Sequence, residues 1–121
     1  MKREWRVADY LEHILESIRR IEEYVSDMDE ITFLSNKSVQ DAVIRNIEII
    51  GEASSNIQRV NPEFALQNNE IPWQVMYAMR NRVSYGYDRV DFEIVWKTIC
   101  NDLPELYRHV SKLASQLKPA D

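Results

Sequence analysis

The sequence predicts an all-α fold, an up-and-down bundle of four to five helices, and three observations predict it. Apolar residues recur three and four positions apart over most of the length, the period of one helix face. Only 2 glycines and 4 prolines interrupt 121 residues, too few for the many turns of a sandwich or barrel. The length suits a single domain, 1–121, with one hydrophobic core.

The spacing predicts a first helix from about Val7 to Met28, with Leu11, Ile14, Leu15, Ile18, Ile21 and Val25 facing the core. Asp9 favours its first turn. A polar turn region follows from Asp27 to Lys37, in which Phe33 and Leu34 are expected to tuck against the bundle. Ser35 or Asn36 can cap a second helix, expected from Ser38 to Val60 with Val39, Val43, Ile47, Ile50, Ser54 and Ile57 on one face. Gly51 stands inside that helix, where glycine costs about 1 kcal/mol relative to alanine. It fits only if another helix approaches closely there. Asn46 and Glu52 lie near the apolar face, either as rim residues bonded locally or as groups leaning into a site.

Asn61-Pro62 stops the second helix, and a loop is expected as far as Ile71. Pro72 suits the first position of a short third helix running to about Val83, with Trp73, Val75, Met76 and Met79 as packing residues. Gly86 can take the left-handed conformation that ends a helix. Asp91 looks like the cap of a fourth helix bearing Phe92, Val95, Ile99 and Leu103. At Pro104 a kink or a fresh helix start is expected, followed by Leu106, Tyr107, Val110, Leu113 and Leu117. Two long helices and a few short ones leave apolar faces incompletely covered, so dimerisation is expected.

The formal net charge is −5, which argues against general nucleic-acid binding. Any RNA contact must use a local basic patch, and Arg80, Arg82 and Arg89 supply one. No apolar run approaches the roughly 18 residues of a membrane span. The basic N-terminal residues lack the apolar stretch of a signal peptide. The single cysteine, Cys100, is expected to be a small buried hydrophobe. A cytoplasmic location follows as the default.

Most catalytic constellations are absent. His13 and His109 stand off the apolar stripes without partners at metal-ligand spacing, and both read as solvated surface residues. There is no glycine-rich phosphate loop; no metal or cofactor is expected. One segment, 79–91, is out of character: it packs three arginines, two tyrosines and an asparagine around a helix end. A polar helix terminus with Tyr85 and Tyr87 covering the bundle end would account for it. So would a nucleic-acid site, because guanidinium groups match phosphate oxygens and tyrosine rings stack on bases.

The segment resembles the signature of HEPN domains: Arg, four residues, His, one residue, Tyr. Here Arg80 is followed by Asn81 to Ser84, then Tyr85, Gly86 and Tyr87. Met79-Arg80-Asn81 and Gly86-Tyr87 are similar to the flanks seen in HepT-like members. Asp41 to Ala53 looks like that family's second helix, Pro72-Trp73 like the entry to its third, and the stretch from Asp91 to Pro104 like its fourth.

The resemblance implies a HEPN-like helical dimer in which paired motifs meet in a basic cleft. It implies a toxin acting as a metal-independent RNA endonuclease, partnered by a minimal nucleotidyltransferase antitoxin, MntA, that transfers AMP to Tyr87. Arg80 would stabilise phosphate charge and Asn81 orient it, with Arg82 and Arg89 as further RNA contacts. The departure is Tyr85, which occupies the histidine position. A phenol titrates near about 10 and an imidazole near about 6.5, so the chain is expected to be a weak or inactive nuclease. A non-catalytic module binding a nucleotide or a nucleotidyltransferase is the alternative, and a purely structural helical dimer a third.

Overall fold

The computed structural model describes residues 6–85 and 90–117, with the side chains of 82–85 outside the description. Among the described residues every regular element is helical, and none is long and apolar enough to cross a membrane. The first helix, α1 (Val7–Val25), begins where the Asp9 carboxylate accepts the Arg6 backbone N–H at 3.0 Å. Its Leu11, Ile14, Ile18 and Ile21 are completely buried, which confirms the predicted stripe. Each fully buried side chain of this size contributes about 1.5–3 kcal/mol relative to exposure.

The segment expected as a polar turn contains a short helix, α2 (Glu30–Leu34). Asp29 caps it by accepting the Thr32 N–H at 2.9 Å, while Thr32 Oγ1 accepts the Asp29 N–H at 3.0 Å. Phe33 is completely buried against Trp96, whereas Leu34 is 37 % exposed and does not tuck in. The long helix α3 (Lys37–Val60) follows, capped by Asn36 through the Val39 N–H. Where a loop was expected after Asn61, a second short helix, α4 (Pro62–Gln67), is present. Its start signal is local: Asn61 caps, Pro62 occupies the first turn and Glu63 favours the N-terminus.

Helix α5 (Trp73–Tyr85) then packs along α3, and α1 packs on the other flank of α3. Trp73 anchors the entry of α5 by donating its indole N–H to the Ala65 carbonyl at 3.2 Å. Helix α6 (Phe92–Lys97) is capped by Asp91, as predicted. A π-helical turn, Thr98–Asp102, joins α6 to α7 (Leu103–Leu117), whose start beside Pro104 is the fresh helix start the sequence allowed. That turn puts Pro104 in the first turn of α7, where a missing N–H costs nothing. Cys100 lies in the π turn and is exposed, so it is not the buried hydrophobe the sequence suggested. Its neighbours Thr98 and Ile99 take the inward positions.

Helix α7 closes the bundle against α1, where Arg19 donates to the Tyr107 hydroxyl at 2.9 Å. That bond raises the Arg19 pKa above its ordinary value.

Candidate functional site

Arg80 stands where α5 packs tightly on α3, and Gly51 is the reason it can. A Cβ added at Gly51 would overlap Cβ of Arg80 and lie 2.9 Å from the Met76 carbonyl oxygen. Neither atom can swing aside: one is fixed to the backbone and the other belongs to it. The helix-propensity cost of this glycine is therefore offset by the helix contact it permits, as the sequence required.

The next residue on α3 orients the guanidinium. Glu52 Oε2 accepts from Arg80 Nη2 at 2.6 Å, and Asn81 Oδ1 accepts from Nη1 at 2.8 Å. The Tyr77 ring lies 6.0 Å from the guanidinium carbon, within cation–π range. The Arg80 side chain is 23 % exposed and that of Glu52 is 55 %. The arginine is thus held from several sides, while its carboxylate partner reaches solvent. Glu52 is therefore not bonded only within its own helix: it pairs across to α5 and lines the groove beside Arg80. Asn46 is buried and bonds locally to the Ala42 carbonyl at 2.9 Å.

Arg80 opens onto a polar groove of about 440 Å³ running along α3 between α1 and α5. Arg45, Ile49, Glu52 and Asn56 form its floor at helical spacing, and Tyr10 and His13 of α1 form the facing wall. His13 is half-buried here, not a freely solvated residue, and its ring meets the Tyr10 ring edge-on with centroids 5.9 Å apart. Arg45 pairs with Glu48 at 3.8 Å but is 70 % exposed. Nothing local to α1 marks His13; only the packing of α1 on α3 brings it to the arginines.

Among the predicted site residues, the structure brings together Arg80 and Asn81. The side chains of Arg82 and Tyr85, and all of Tyr87 and Arg89, lie outside the described residues, as does the helix end expected at Gly86. His109 lines a separate, largely apolar cavity of about 390 Å³, with Ile50, Val75, Met79 and Leu106. Among the described residues no group of three or more His, Cys, Asp or Glu side chains could hold a metal ion.

The helical bundle thus holds an oriented arginine at the edge of a polar groove. The family follows from comparison with known proteins. A family model described as Ribonuclease HepT-like matches residues 14–113, and the chain belongs to that family. It is 44 % identical to a probable ribonuclease HepT of Thermococcus cleftensis, over 87 % of this chain and 93 % of that one. It is also 44 % identical to a Methanocaldococcus jannaschii protein named as a gamma-glutamylcyclotransferase and candidate RNase. That match covers 92 % of this chain and 49 % of the relative, so the chain spans about half of that protein. A candidate RNase of Caldanaerobacter subterraneus is 32 % identical over 90 % of this chain and 95 % of its own length. No solved structure matches the chain significantly.

Proposed function

We propose that this chain is the toxin component of a HepT/MntA-type pair, a metal-independent RNA endonuclease whose activity is weakened by Tyr85. The observation that carries the reading is Arg80, fixed by the Gly51 contact and by Glu52 at the edge of a polar groove. In the reaction, the ribose 2′-oxygen attacks the adjacent phosphorus as its proton leaves, the bond from phosphorus to the 5′-oxygen breaks, and that oxygen takes up a proton, giving a cyclic phosphate and a 5′-hydroxyl. Arg80 stabilises the charge that gathers on the phosphoryl oxygens. The proton of the 2′-hydroxyl needs an acceptor active near neutral pH. A histidine would supply roughly 10²–10⁴-fold in rate, and a phenol does not replace it.

The antitoxin, an MntA-like nucleotidyltransferase, would transfer AMP to Tyr87. The adduct is bulky and anionic and would repel RNA from the arginines. The active form would be a cytoplasmic homodimer. Support for the dimer comes from Val75, 61 % exposed beside the apolar cavity, and from Ile94, 50 % exposed on α6.

The test is RNA cleavage in metal-free buffer by the chain itself, by Tyr85→His and by Tyr85→His with Arg80→Ala. Strong cleavage by Tyr85→His alone supports the reading. If none of the three cuts any RNA offered, the nuclease assignment falls. The second reading, a non-catalytic module holding a nucleotide or the transferase, then takes its place; Tyr85 is the residue that favours it. For the modification, incubation with the transferase and ATP should label the chain but not Tyr87→Phe.

A further inference from the structure

We propose that the groove beside Arg80 is a strand-binding subsite for single-stranded RNA, with Arg45 holding a second phosphate and His13 carrying the base between the two cations. The inference rests on the ribonuclease reading and deepens it. Arg80 is tied to α3 at Glu52, and Arg45 lies seven residues earlier on the same helix and lines the same groove. At about 1.5 Å per residue, the two helix positions are roughly 10 Å apart along the axis. Neighbouring phosphates of one strand can occupy them, and the groove continues past Glu52 to Asn56, whose side chain is held by Arg59 at 2.6 Å.

The charges suit exchange. Arg45 is mostly exposed and its 3.8 Å pairing with Glu48 is a weak surface contact. Glu52, also largely exposed, can turn outward when a phosphate takes its place on Arg80. A phosphate accepts two parallel bonds from a guanidinium as well as a carboxylate does. The opposite wall, Tyr10 and His13 of α1, supplies an aromatic face. Tyr10 is buried and packs edge-on against His13, which fixes the imidazole plane in a groove about 440 Å³ in volume, room for a nucleoside. Single-stranded RNA is recognised by such stacking, and histidine is one of the rings that serves.

The two roles have different salt signatures, and the test uses them. Binding of a short fluorescein-labelled, 2′-O-methylated RNA oligonucleotide, which cannot be cut, is followed by anisotropy over a range of salt concentrations. Each phosphate contact on a single strand contributes roughly 0.7 to the slope of log affinity against log salt. Arg45→Gln is expected to weaken binding several-fold and lower the slope by about that amount. Arg108→Gln removes an equally exposed cation on α7, outside the groove, and is expected to leave the slope unchanged. His13→Ala is expected to weaken binding several-fold at unchanged slope, and His13→Phe to restore it.

If Arg45→Gln behaves like Arg108→Gln, or His13→Ala binds as tightly as the parent, the subsite is refuted while Arg80-dependent binding still stands. If Arg80→Ala binds as well as the parent, or the parent binds no RNA at all, the ribonuclease reading itself fails. Circular dichroism of each variant separates loss of binding from loss of fold.

Discussion

Replacing Gly51 by alanine tests the contact on which the site is built. The added Cβ would overlap Cβ of Arg80 and stand 2.9 Å from the Met76 carbonyl oxygen. Carbon and oxygen ordinarily approach to about 3.3 Å and two carbons to about 3.5 Å, so α5 must move away from α3 by roughly 1 Å. Overpacking of this kind costs about 1–3 kcal/mol. The better helix propensity of alanine returns about 1 kcal/mol of it. The net expectation is a destabilisation of about 0–2 kcal/mol, which leaves the domain folded.

The effect on chemistry should be larger, because a displacement of about 1 Å in a positioned group can cost on the order of 10²-fold in rate. The assay is urea denaturation of Gly51→Ala together with metal-free RNA cleavage by Gly51→Ala in the Tyr85→His background. Greater stability with undiminished cleavage would refute the reasoning, since it would mean that α5 does not bear on Gly51.

Three further outcomes follow from the same geometry. Glu52→Gln removes a largely exposed partner of Arg80; stability should change by less than about 1 kcal/mol, and RNA affinity measured by anisotropy at low salt should rise. The Thr32 backbone N–H holds the Asp29 carboxyl below its ordinary pKa. The cap therefore stabilises the fold above the ordinary carboxylate range, and that contribution is lost as pH falls through the lowered folded value. The Thr32 amide resonance followed by NMR should titrate with Asp29 and should not do so in Asp29→Asn. Cys100 is exposed, so a thiol reagent should label it fully in the native protein, with no lag for unfolding; slow labelling would contradict its placement.

Much of this protein was legible in the chain because helices are local objects. The stripe from Leu11 to Val25, the caps at Asn36 and Asp91, and the stop at Asn61-Pro62 each depend on residues within a turn or two, and each is found where periodicity and capping chemistry place it. Helices α2 and α4 were also written locally, in Asp29 with Thr32 and in Asn61-Pro62-Glu63. They were too short for an apolar stripe to reveal. Arg80 and Asn81 stood out by composition, and Gly51 by its cost in mid-helix.

The groove was not legible, because its walls come from three helices whose relative rotation no short-range rule sets. His13 looked like one more polar residue on α1 until packing of that helix against α3 turned it toward Arg80 and Arg45. Cys100 looked apolar by its neighbours until the π turn rotated it to solvent. Sequence alone determined which segments are helices, since backbone hydrogen bonds and steric cost act between near neighbours, and it singled out Arg80 as a candidate. The tertiary structure decided what that arginine faces. Side chains far apart in the chain meet only where burial of the apolar stripes fixes how the helices are turned.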